Sequence, residues 1–118
     1  MNKDYERRNI MSLRWQLEMF PDTKFVISFN DDGLCVPDNK VLETAQKIIN
    51  EKKDVSVSQG LLIDAIRVLV KEKQIDNNDF VIYFNNMILL VDKYGMVDHW
   101  PNGFCDVHEN ILNRLLGI

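Results

Sequence analysis

The chain has 118 residues, 46% of them hydrophobic, the length and apolar content of one globular domain with a single core. A formal net charge of −4 argues against the clustered basic face that nucleic-acid binding needs, and no apolar run approaches the length of a bilayer span. The charged start MNKDYERR is followed by no apolar stretch of the signal-peptide kind, so a soluble, cytoplasmic protein is expected.

Ile10, Leu13, Leu17 and Phe20 recur at three- and four-residue steps before Pro21. This predicts an N-terminal amphipathic helix within residues 1–20, with Lys3, Arg7, Arg8 and Arg14 as a solvated basic face. The core is expected over residues 23–118. Phe25 to Phe29 reads as a buried strand, Asp31-Asp32-Gly33 as a loop, and Pro37-Asp38 as the opening of a helix with Val41, Ala45, Ile48 and Ile49 on one face. Asp54 to Val57 is a short strand. Ser58 then caps a helix whose apolar stripe is Leu61, Leu62, Ala65, Ile66 and Leu69.

After the Asp76-Asn77-Asn78-Asp79 turn come two runs, Phe80 to Phe84 and Met87 to Val91, separated by Asn85-Asn86. Asparagine tolerates positive φ, so the pair predicts a tight hairpin. Asp92-Lys93-Tyr94-Gly95 supplies a second turn, and Met96 to His99 returns as a third strand of a meander. Trp100-Pro101-Asn102-Gly103-Phe104 closes it. Asp106 and Glu109 have capping-box spacing for a last helix that buries Ile111, Leu112, Leu115 and Leu116 and stops at Gly117. The expected class is α/β, one domain over residues 1–118: a small mixed sheet with right-handed crossover helices, a C-terminal antiparallel hairpin or meander, and flanking N- and C-terminal helices.

Several constellations bear chemical readings. Asp98, His99, Cys105, Asp106 and His108 crowd one region and include metal-ligand types, but a rigid Trp-Pro turn divides them, which favours a polar turn plus a helix cap. Cys105 and His108 could form a nucleophile and base; a buried apolar thiol is the favoured alternative. Asp31 and Asp32 could take Mg²⁺, although Gly33 after them favours a plain turn. Cys35 and Cys105 belong to no C-x-x-C pair, so no disulfide framework is expected. Trp100, Pro101 and Phe104 form an aromatic turn that serves either as a partner-binding anchor or as a lid on the sheet end. No catalytic residue, cofactor or metal ligand is assigned.

The segment V-D-H-W-P-N-G-F-C-D, carrying Val97, Trp100, Pro101, Gly103, Phe104 and Asp106, resembles the C-terminal end of bacterial AAA-type ATPases related to the ABC and overcoming-lysogenization-defect families. Those proteins typically end in a segment similar to I-x-N-W-P-x-G-F-F-D. Upstream, KFVISFNDDGLCVP resembles the family's Walker B strand, with Pro37 on the family proline and Phe29 and Asn30 where its two acidic residues stand. Val57, Ser58 and Gln59 replace its Thr-His-Ser switch. The chain has five glycines and no G-x-x-x-x-G-K-[ST] loop, so it cannot grip ATP in the P-loop manner by itself.

The resemblance implies the family's fold without its active site. It also implies a noncatalytic accessory or regulatory subunit, a pseudo-ATPase half that binds a larger ATPase or effector, or self-associates, in a bacterial or phage defence-type system. A small metal-dependent hydrolase and a phage-encoded or antitoxin-like ATPase inhibitor are the alternatives.

Overall fold

A computed structural model describes residues 13–98. Residues 13–18 are helical (α1). Then follow β1 (Phe25–Leu34), α2 (Val41–Glu51), β2 (Val55–Val57), α3 (Gly60–Lys71), β3 (Phe80–Phe84) and β4 (Met87–Leu89). The four-stranded sheet has the order β2-β1-β3-β4, with β1 parallel to β2 and β3, and β4 antiparallel to β3. The architecture is therefore α/β with a mixed sheet and a C-terminal antiparallel pair. Among the described residues, no helix is long and apolar enough to cross a membrane.

The pleat separates two faces. Phe25 and Ile27 of β1 lie with Phe80 and Ile82 of β3 in one buried cluster, together with Val41, Ala45, Ile48 and Ile49 of α2 and Leu62, Ile63, Ile66 and Leu69 of α3. Phe25 stacks on Phe80 at 5.6 Å, and Phe29 meets Phe84 edge-on at 5.9 Å. Both helices thus cover the same face and pack on each other. That placement corrects the expected crossovers. The chain leaves β1 for β2 in one direction and returns past β1 to reach β3. Two crossovers that travel opposite ways over one face have opposite hands, so they are not both right-handed. The opposite face carries the register pair Val26 and Val81.

Three local expectations are also corrected. Asp31, Asp32 and Gly33 remain inside β1: Phe29 and Leu34 both pair with Val57, so residues 30–33 form a bulge rather than a loop. A Cβ on Gly33 would lie 2.3 Å from the Val57 carbonyl carbon, so this crossing requires glycine. Ser58 does not cap α3. Gln59 occupies the N-cap position without a side-chain cap bond, and Leu61 is exposed while Ile63 and Val70 join the buried side. The third meander strand is reduced, among the described residues, to a single bridge from Val91 to Val97.

Other expectations hold. Asn85 (φ 48°) and Asn86 (φ 63°) make the hairpin turn, and Gly95 (φ 80°) the second turn. The Asp76 carboxylate accepts from the Asn78 amide and opens the turn into β3. The N-terminal helix expected within residues 1–20 is seen from residue 13, its earlier part lying outside the described residues, as do His99, the Trp100–Phe104 turn and the terminal helix.

Candidate functional site

In open α/β sheets, ligands meet the loops beyond the carboxyl ends of the parallel strands. Here that end is built from the β1 bulge and the segment after β2, and two of its polar side chains, Ser58 and Gln59, hold backbone. Ser58 Oγ donates to the carbonyls of Gly33 (3.0 Å) and Leu34 (3.4 Å), and its amide donates to Leu34 as well. The Gln59 side-chain amide makes a two-way pair with Val36, accepting from its N–H at 3.1 Å and donating to its carbonyl at 3.0 Å. Asn30 Nδ2 donates to Ser56 Oγ at 3.4 Å. Val57 is fully buried, and Phe29 packs against the core. This end therefore presents an aromatic packing residue, amides and one hydroxyl, with the Asp31 and Asp32 carboxylates exposed on the bulge.

Asp31 and Asp32 are exposed on the bulge. Among the described residues no group of three or more His, Cys, Asp or Glu is placed to hold a metal ion, so these two aspartates gain no third ligand there. Cys35 is a free, exposed thiol. Asp98 accepts from the Leu90 amide at 3.3 Å, so it serves the chain segment beside β4. The remaining candidates, Trp100, Pro101 and Phe104 as partner anchors and His99, Cys105, Asp106 and His108, lie outside the described residues.

The opposite end of the sheet holds an ionic cluster. Asp79, only 8% exposed, meets Lys24 Nζ and Lys52 Nζ at 3.3 Å each, while its carbonyl accepts from the Lys24 amide at 2.7 Å. One carboxylate therefore ties the starts of β1 and β3 to the end of α2. Beside it, a recess of about 430 Å³ is lined by Phe20, Pro21, Thr23, Phe80 and Val81. The rim residue Asp92 is committed to its own turn, its carboxylate accepting from the amides of Tyr94 (2.8 Å) and Met96 (3.0 Å).

Two placements were invisible to pattern reading. Gln16 of α1 reaches β4, accepting from the Ile88 amide at 3.0 Å and donating to the Asn86 carbonyl at 2.9 Å. Lys71, Lys73, Lys93 and Tyr94 meet around a second recess. The available signals were a lysine pair just past a helical stripe and a Lys-Tyr pair before a turn glycine, neither of which says that the two turns adjoin. A comparison with known protein families, curated proteins and solved structures finds no match for this chain.

Proposed function

We propose that this chain is a noncatalytic accessory subunit that acts by contact with a partner protein, an ATPase or effector of a bacterial or phage defence-type system. One observation carries the reading: at the carboxyl ends of β1 and β2, Phe29, Ser58 and Gln59 are engaged in packing and backbone bonding. Phe29 lies against Phe84, and Ser58 and Gln59 hold Gly33, Leu34 and Val36. A hydroxyl whose proton is directed at a backbone carbonyl is poorly placed to pass that proton to a substrate. The defence setting is supported by the resemblance of the W-P-x-G-F segment and its flanks.

Native co-purification tests the proposal. The expected result is a stoichiometric protein partner and no ATP turnover by the chain alone. A tightly held metal with hydrolytic turnover in the isolated chain would overturn it in favour of the hydrolase. Adding the chain to its partner and following ATPase rate then separates an accessory subunit from an inhibitor. Trp100→Ala with Phe104→Ala should abolish capture of the partner while the circular dichroism spectrum is retained; loss of folding would assign those rings to the core.

A further inference from the structure

Of the nine large apolar side chains exposed among the described residues, Tyr94 (62% exposed) and Met96 (54%) flank Gly95, and Val68 (48%) follows Arg67 on α3. Gly95 seats the turn on α3: a Cβ there would stand 2.4 Å from the Arg67 carbonyl oxygen and 3.6 Å from Lys71 Cβ. Arg67 fastens the same turn, donating from Nε to the Gly95 carbonyl at 2.7 Å. Next to it opens a recess of about 710 Å³ lined by Val70, Lys71, Lys73, Ile75, Lys93 and Tyr94, with Asp76 and Asn77.

Three lysines border the recess, with Asp76 the one carboxylate among its described lining residues. Among the described residues the salt bridges engage Lys24, Lys40, Lys47, Lys52 and Arg67 with carboxylates; Lys53, Lys71, Lys73 and Lys93 stand outside them, and the last three border the recess. Lys71 lies in the last turn of α3 and answers the partial negative charge of the helix end. Lys73 and Lys93 have no such task. Lys73 holds a left-handed backbone (φ 62°), and Lys93 Nζ stands 5.2 Å from the Tyr94 ring centroid. Asp76 is already bonded to the Asn78 amide.

We infer that this Lys71/Lys73/Lys93/Tyr94 surface is a docking site for an acidic segment of a partner protein that carries apolar side chains between its carboxylates. The inference deepens the contact reading above and rests on it. Ammonium groups spaced around an open apolar floor suit carboxylates on a flexible chain, and Tyr94, Val68 and Met96 offer the rigid and adaptable apolar area that anchors such chains. A nucleic acid fits worse, because a phosphate backbone needs an extended basic track, whereas three lysines around an apolar floor of Val70 and Ile75, with Asp76 among them, suit carboxylates spaced by apolar side chains.

The test uses the full chain and a fluorescein-labelled synthetic peptide in which Asp and Glu alternate with Leu and Phe. A matched peptide with Asn and Gln, and a ten-nucleotide oligothymidine, serve as rivals. The acidic peptide is expected to bind best, more weakly as salt rises, and to shift the amide resonances of Lys73, Lys93 and Tyr94 first. Both K73E/K93E and Tyr94→Ala should weaken it about tenfold, while K40E/K47E, with the same change in net charge, leaves it within about twofold.

Equal loss in both lysine variants would reduce the effect to overall charge and overturn the inference. So would absence of peptide binding, tighter binding of the oligothymidine, or a dimer of the chain that K73E/K93E dissolves. Should K73E/K93E fail to fold, the resonance map of the unaltered chain and Tyr94→Ala decide. Failure of the peptide leaves native co-purification of a partner as a separate result, so the two readings fall independently.

Discussion

At the residue scale, backbone conformation outweighs ion pairing with half-exposed lysines. Gly95 combines φ 80° with a Cβ position 2.4 Å from a carbonyl oxygen, so Gly95→Ala is charged for both strain and overlap. Each effect costs on the order of 1–3 kcal/mol, and a loss of about 3 kcal/mol is expected in urea unfolding. By contrast, Asp79→Ala leaves Lys24 and Lys52, each about half exposed, free to return to water. That change should cost only about 1 kcal/mol, seen in the same experiment. The glycine was legible in the sequence because the Asp-Lys-Tyr-Gly turn demands positive φ. The ion cluster was not, because its members come from three separate segments and no local pattern joins them.

Among the elements, the hairpin turn and the buried face of α2 were readable to the residue, and for a common reason. Val41, Ala45, Ile48 and Ile49 repeat at helical spacing, and Asn85-Asn86 has the turn chemistry that matches strand twist. Asn85→Val places a β-branched residue in the left-handed region and should cost about 1–2 kcal/mol, measured by thermal unfolding. The edge of β4 is a different matter. A strand edge presents unpaired amides and carbonyls that invite pairing with another chain. Gln16 meets the Ile88 amide of that edge and the Asn86 carbonyl of the turn before it with its side-chain amide. Gln16→Ala is expected to speed hydrogen exchange at the Ile88 amide and to cost about 1 kcal/mol; an unchanged exchange rate would show that the edge is guarded by other groups. The misread elements failed where tertiary contact overrode local chemistry. Asp-Asp-Gly looks like a loop, yet Ser58 bonds the carbonyls of Gly33 and Leu34 and holds the segment in the strand. That same engagement removes Ser58 from the capping role its position suggests.

For the whole molecule, one apolar layer between sheet and helices carries the stability. Ile66 of α3 is 1% exposed within that cluster, so Ile66→Ala should remove about 2–5 kcal/mol and lower the unfolding midpoint seen by every probe together. Composition, periodicity and turn residues by themselves determined the α/β class, the order of the elements and most of the buried positions, because each depends on residues near one another along the chain. They also showed the want of a phosphate loop, a matter of sequence alone. Only the tertiary structure decided the strand order, the opposite hands of the two crossovers, the conversion of the Asp-Asp-Gly segment into a bulge, and the meeting of Lys71, Lys73, Lys93 and Tyr94. Those features depend on which distant segments share a face, and that choice is made when the whole apolar surface is buried at once.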